Sequence, residues 1–393
     1  MDCRTRLTVN LDRFEDNVRL AQSALPPGVG LLPVVKANAY GHGLLPVVRS
    51  LARLAIPQLA VMGVGEALDV RETGFSGSVI LLGGASPEEL STCRSFRLIP
   101  VLHHADQIRA LERLSPDFPL TVHLKIDSGM GRLGFLPEEL PGALDRLASL
   151  KQVALTGLMT HFPLGEDPVD TAGAMGIFRD AFERIKGHAA LRGLEVVHMA
   201  NSAALLNGLV SWRDAGPGPL PIRPSFLARP GLLLYGFRGA CSDPAAGAGI
   251  RPILKVEARL LSVRRLPKGQ TVSYGRRHTL ARDSRVGVIA MGYADGLPRG
   301  ISGLGWGRIS GCRTPFLGTI CMDMVSVDLT DVQDDVAPGA WVSVLDPDDA
   351  GAMTVEHLAT WMDTIPYEIL CGIGHRSERR YIGGASRNSS DPG

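Results

Sequence analysis

Eight short apolar runs, each followed by a helical pattern or by a loop leading to one, fill the first 236 residues and leave few folds open. They are LLPVVK from Leu31, QLAVMGV from Gln58, SVILLGG from Ser78, LIPVLHH from Leu98, LTVHLKID from Leu120, LTGLMTHF from Leu155, EVVHMAN from Glu195 and FLARPGLLLYG from Phe226. Their starts are spaced by roughly 28 residues, the length of a strand-loop-helix-loop unit. Helix signals stand between them: Ser86-Pro87-Glu88-Glu89 supplies an N-cap, a proline at the first helical position and acids in the first turn. Eight apolar strands alternating with amphipathic helices predict a (β/α)8 TIM-like barrel, an α/β fold. A doubly wound sheet is the second choice, since it more often stops at five or six strands.

The pattern then changes. A Gly/Ala/Pro-rich stretch, RGACSDPAAGAG, reads as a linker, and beyond it strand-like alternation dominates, with TVEHLATWM the clear helix. The expected organisation is a barrel over 1–238, a linker over 239–250, a mostly-β C-terminal domain over 251–383 and a disordered tail over 384–393. Forty-one basic against 40 acidic residues, with no Lys/Arg block, argue against a nucleic-acid partner. The N-terminus has no apolar signal core, and no uninterrupted apolar span of about 18 residues occurs, so neither membrane insertion nor export is expected. A cytoplasmic protein follows. The six cysteines form no C-x-x-C pair, and no metal site is expected.

In such a barrel chemistry sits at the C-terminal strand ends. Reading those ends gives Lys36 on the first strand, Lys125, Asp127 and Arg132 on the fifth, and His161 on the sixth. The seventh gives His198, Asn201 and Ser202, and the eighth Arg229 with Gly231. An ammonium group at the mouth of an apolar strand loses hydration, which favours the free amine needed for condensation with a carbonyl. The ordinary alternative is a lysine that snorkels to solvent. Asn201 and Ser202 open the helical stretch SAALLNGL, where free N–H groups suit an anion, and Gly231 permits close backbone approach to phosphate. Tyr40 and Tyr367 are candidate phenolic donors or ordinary half-buried aromatics. A reactive lysine with a phosphate cup describes pyridoxal 5′-phosphate (PLP).

The motifs VVKANAYGHG, KIDSGMGRLG, HMANSAA, ARPGLLLYG, VSYG, GYADG, ICMD and IPYE stand in one order from Val34 to about Ile382, and in that order the chain resembles the alanine racemases. The resemblance implies PLP held by Lys36, with Lys36 and Tyr274 as two acid/base groups on opposite faces of the bound substrate. It implies a homodimer with shared active sites, Tyr274 and the backbone of Met322 coming from the partner. Arg229 is implied to face the pyridine nitrogen, His198 to hold Arg229, and His161 to link it towards Tyr274. Arg132 is implied to contact the cofactor's phenolic oxygen and the substrate carboxylate. Asp323 orients the tyrosine loop in this reading, and Tyr293 and Tyr367 narrow the mouth for a small amino acid. Lys125 matches a lysine that some members carry as a carbamate; an unmodified lysine paired with a carboxylate is the equal alternative. The D-alanine formed would serve peptidoglycan.

Two stretches depart from the family pattern. HFPLGED carries proline and acids after the sixth strand, and Arg276, Arg277 and His278 put cationic bulk next to Tyr274. They leave room for broader or serine specificity. Within PLP chemistry the alternative is a decarboxylase on the same barrel, which brings a cysteine and an acid from the partner rather than Tyr274 and ICMD. A PLP-carrier protein would lack the second domain. A metal-dependent barrel hydrolase is opposed by the absence of an H-x-H pair on the first strand.

Overall fold

The computed structural model describes residues 4–115, 117, 119–210, 224–239, 241, 243 and 245–384. The tail 384–393 lies outside the described residues apart from Gly384, as do positions 240, 242 and 244 of the linker. The chain forms two compact units. The first strand, β1 (Thr5–Asn10), belongs to the β-rich unit rather than to the barrel.

The barrel unit comprises Phe14–Ala39 and Leu44–Ile250. Its strands are β2 (Val29–Leu31), β3 (Gln58–Val61), β4 (Ser78–Leu81), β5 (Leu98–Leu102), β6 (Leu120–Lys125), β7 (Val153–Met159), β8 (Val196–Met199) and β9 (Ser225–Ala228). Each of the eight apolar runs overlaps one strand, the first only at Leu31. The pairings are parallel in the order β2-β9-β8-β7-β6-β5-β4-β3. The ring closes where Val34 bridges Ala60, with Val35 N–H donating to Ala60 O at 2.9 Å and Ala60 N–H to Pro33 O at 2.8 Å. Strands covered on both faces have no solvent side, so Val79, Ile80 and Leu81 of β4 are all buried and the run loses its alternation. Each such side chain contributes about 1.5–3 kcal/mol of burial. The capping signal at Ser86 is realised: Glu89 reaches back to accept from the Ser86 N–H at 2.8 Å, opening a short 3₁₀ turn before the helix Leu90–Ser95.

The second unit comprises residues up to Arg13, Tyr40–Gly43 and the chain from Arg251 onward. It adds β10 (Leu254–Leu266), β11 (Thr271–Val272), β12 (His278–Thr279), β13 (Ser284–Ile289), β14 (Trp306–Ile309), β15 (Cys312–Leu317), β16 (Val325–Asp328), β17 (Trp341–Leu345) and β18 (Glu378–Ile382). The main sheet runs β13-β16-β15-β14-β17-β10-β1-β18, and β13 returns to pair with β10. That closure depends on the length of β10, whose register shifts between Leu260 and Ser262. Its first half pairs with β1 and β17 and its second with β13.

This division corrects the boundary 1–238. β1 pairs antiparallel with β10 and parallel with β18, so the first strand of the chain is held by residues more than 240 positions away. The helix Val355–Trp361 is present, capped by Thr354, and a second helix that periodicity did not announce follows at Pro366–Gly372. Among the described residues no helix is long and apolar enough to cross a membrane.

Candidate active site

Lys36 follows five buried residues, Leu31 to Val35, and is itself half-buried. The backbone then makes a left-handed turn: Ala37, Asn38, Ala39 and Tyr40 have φ of 53°, 51°, 54° and 53°. L-residues resist this by about 1–2 kcal/mol each, Asn least. Side-chain hydrogen bonds hold the turn. Glu66 accepts from Ala37 N–H at 2.6 Å and from Met62 N–H at 2.7 Å, and Asn38 Oδ1 accepts from Leu44 N–H at 2.8 Å. The bridging segment past β2, paired through Val34 and Val35, therefore ends at the lysine, and the left-handed turn follows immediately.

Arg229, just past β9, is 3% exposed and donates from Nη2 to Thr160 O at 2.6 Å. His161 Nδ1 lies 3.1 Å from Nη2 and His198 Nδ1 lies 3.4 Å from Nη1. Burial pulls this arginine down to about 9, which leaves it cationic at neutral pH. Its partners are neutral: burial first, then the positive field of Arg229 and its neighbours, pushes His161 to about 3, and burial drives His198 well below its ordinary value. Among the described residues no carboxylate pairs with Arg229. Lys125, 2% exposed at the end of β6, is lowered to about 8 by burial and then by Arg132 and Arg229. Arg132 is exposed on the following loop, which Asp127 Oδ1 shapes by accepting from Gly129 and Gly131.

Past β8, Asn201 caps the helix Ser202–Leu206, accepting from Ala204 N–H at 3.0 Å. Ser202 Oγ accepts from the N–H groups of Gly231 and Leu233 at 3.1 and 3.2 Å. These bonds tie together the segments just past two adjacent strand ends, those of β8 and β9. The acids of HFPLGED have a structural use, since Asp167 caps the helix Pro168–Ile185 and accepts from Asp170 N–H at 2.8 Å. The barrel unit thus brings together Lys36, Lys125, Arg132, His161, His198, Arg229, Asn201, Ser202 and Gly231.

The remaining candidates lie in the β-rich unit. Tyr40 and Tyr367 rings meet at 5.8 Å. Tyr274 sits on a 3₁₀ turn, not on a strand, and is 73% exposed. Thr319 Oγ1 donates to Tyr274 O at 2.9 Å, and Ser273 Oγ donates to Thr319 O at 2.6 Å, tying this turn to the loop that carries Met322. Met322 is 53% exposed. Tyr293 and Ala294 N–H donate to Cys321 O and Met322 O at 3.1 and 3.0 Å, so GYADG lies directly on ICMD. A Cβ at Gly292 would stand 2.2 Å from Cys321 O, which explains the glycine that opens GYADG. Arg376 joins Asp295 and Asp323, at 3.1 and 2.8 Å.

Four contributors escaped the sequence reading: Thr160, Asp295, Arg376 and His123, whose Nδ1 lies 2.9 Å from His198 Nε2. Asp295 stood inside a quoted motif. His123 precedes Lys125 by two, the spacing that puts side chains on one strand face, and that was its available signal.

Two family models match the chain, alanine racemase N-terminal domain over residues 9–239 and alanine racemase C-terminal domain over 253–381. The alanine racemase of Citrifermentans bemidjiense is 34% identical over 98% of this chain and 100% of its own length. The crystal structure of biosynthetic alanine racemase from Pseudomonas aeruginosa has a TM-score of 0.81 and 31% identity, covering 97% of this chain and 100% of that one. The alanine racemase of Bartonella henselae, solved with covalently bound pyridoxal phosphate, has a TM-score of 0.81 and 26% identity over 96% and 99% of the two chains.

Proposed function

The chain belongs to the alanine racemase family, and from that premise we propose that it interconverts L- and D-alanine with pyridoxal phosphate, Lys36 and Tyr274 serving as the two proton-transfer groups. The observation that carries the reading is Arg229, a buried cation whose partners among the described residues are Thr160 O and two neutral histidines. Such a site suits a heteroaromatic nitrogen that stays unprotonated, because an arginine donates a hydrogen bond but does not readily give up its proton. The donor set fits the rest of the cofactor: Lys36 for its carbonyl carbon, and Ser202, Asn201 and Gly231 for its phosphate. When bound, the cofactor supplies a conjugated ring that stabilises negative charge at the substrate Cα.

The remaining work falls to side chains. Arg132, exposed beside Lys125, is assigned the substrate carboxylate. The Lys36 amine takes or returns the Cα proton on one face, and the Tyr274 phenol does so on the other. Tyr274 and Met322 are proposed to come from the partner subunit of a homodimer, a reading that their exposure on one chain supports. The D-alanine formed is proposed to feed peptidoglycan synthesis. The test is incubation of the cofactor-loaded protein with L-alanine in D2O. Alanine of both hands, deuterated at Cα, is expected. Carbon dioxide with an amine product would transfer the assignment to a decarboxylase, and exchange confined to serine would replace the substrate. No exchange with any amino acid would end the enzymatic reading.

Lys125 is proposed to carry a carbamate. Lys125 makes no ion pair among the described residues, and Arg132 and Arg229 raise the cost of its positive charge against a smaller opposing pull from Asp127. With its pKa near 8, about half of Lys125 is free amine at pH 8. The lone pair of the neutral amine attacks carbon dioxide, an N–C bond forms as one C–O π bond opens, and the nitrogen gives up a proton; with the proton the ammonium has already lost, two protons leave as a cation becomes an anion beside Arg132. Removing carbon dioxide should raise the KM for alanine about tenfold, and bicarbonate should restore it. Lys125→Arg should not respond to bicarbonate. The sign for stability is also set. The folded pKa lies below the unfolded one, so stability of carbon-dioxide-free protein rises with pH between about 8 and 10.5. A 13C signal from labelled bicarbonate, absent in Lys125→Arg, identifies the adduct.

A further inference from the structure

His123 lies on β6, buried, with His198 as its hydrogen-bonding neighbour. The two strands that carry them are not adjacent, because β7 runs between β6 and β8. Neighbouring strands stand about 4.8 Å apart, so the histidines must meet across an intervening backbone. The β7 residue in register with His123 is Gly157. A Cβ there would lie 2.4 Å from the His123 ring, so the ring crosses β7 at a residue with no side chain. A register shift puts it there: Val122 pairs with Leu155, and His123 then pairs with Gly157 rather than Thr156. Irregularities of this kind re-aim side chains near active sites. The result is a contact of 2.9 Å between His123 Nδ1 and His198 Nε2.

The protons in this chain have one consistent arrangement. A guanidinium only donates. Arg229 Nη1 faces His198 Nδ1, so Nδ1 holds a lone pair and the proton of a neutral ring is on Nε2. That N–H donates to His123 Nδ1, whose own proton is then on Nε2. Arg229 Nη2 donates in the same sense to His161 Nδ1. Burial keeps all three rings neutral, as the scheme requires.

We propose that His123 is a positioning residue for the reaction: by accepting from His198 Nε2–H it fixes His198 in the tautomer that accepts from Arg229, and so sets the orientation of that guanidinium. The inference rests on the cofactor reading above, in which Arg229 faces the pyridine ring. His123→Asn keeps an acceptor close to the position of Nδ1, whereas His123→Leu keeps bulk without one.

Loss of the acceptor in His123→Leu should lower kcat about 10- to 100-fold, with KM within about twofold, because a buried N–H is left unsatisfied and the arginine is released. The visible absorption of the bound cofactor should shift in the same variant. His123→Asn should recover most of the activity and the native spectrum. Gly157→Ala, which pushes the ring aside, should match His123→Leu. In 15N-histidine-labelled wild type, two-bond spectra should show His198 protonated at Nε2 and bare at Nδ1. A proton at Nδ1, an Asn variant no better than Leu, or a Leu variant with native kcat and spectrum would each overturn the proposal. Should His123→Leu fail to fold, the wild-type tautomer and the comparison of His123→Asn with Gly157→Ala decide it. Failure of the cofactor reading is distinguishable, because wild type would then neither take up pyridoxal phosphate nor racemise, while the tautomer remains measurable without cofactor.

Discussion

Lys36→Ala is expected to lower kcat for alanine by about 10⁴-fold, the upper range for removing a proton-transfer group, and to abolish covalent attachment of the cofactor. Two readouts separate these losses. After borohydride treatment, the wild-type peptide containing Lys36 should retain the cofactor through a stable bond, and the variant should show no such adduct. Added methylamine should restore part of the rate, since a small amine can occupy the space left by the side chain. The substitution is a fair test because Lys36 is half-buried and its backbone is fixed from outside, by Glu66 and Asn38 holding the left-handed turn. A variant that keeps the native turnover, or an adduct found on another lysine, would remove Lys36 from the mechanism.

The reasons why Lys36 was legible and His123 was not are physical. Parallel strands covered on both faces appear in sequence as unbroken apolar runs, so all eight barrel strands could be placed and their C-terminal ends located. Once the ends are known, a lysine after Leu31–Val35 or an arginine after Leu227-Ala228 is conspicuous. His123 lies inside a strand, and its partner is set by a register shift that no local pattern encodes. β1 alternates plainly, with Thr5, Leu7 and Val9 inward, but its sheet partners are supplied by β10 and β18 from the far end of the chain. β18 itself, ERRYI, has too many charges to announce a strand. Tyr274 shows a different limit. Its turn places it 73% exposed on the β-rich unit, where neither periodicity nor burial distinguishes it from any surface tyrosine. The sequence pointed to it through the motif VSYG.

For that reason Tyr274→Phe is the sharper experiment, since it removes one oxygen from an exposed ring and should leave folding untouched. Racemisation is expected to fall about 10³-fold. The two enantiomers have equal free energy, so the loss must be the same in both directions and rates alone cannot say which face was affected. Isotope exchange can. With Lys36 intact, the variant should still exchange the Cα proton of one enantiomer with solvent deuterium and return it with configuration retained, while the other enantiomer stays protonated. Exchange of both hands at the native rate would exclude Tyr274 as a base. The proposed sharing of sites can then be tested by co-expressing Lys36→Ala with Tyr274→Phe. If Tyr274 comes from the partner, a mixed dimer has one site with both defects and one site with neither. Random pairing makes about half of the dimers mixed, so total activity should return to about one quarter of wild type. If both groups come from the same chain, every site keeps one defect and no activity returns.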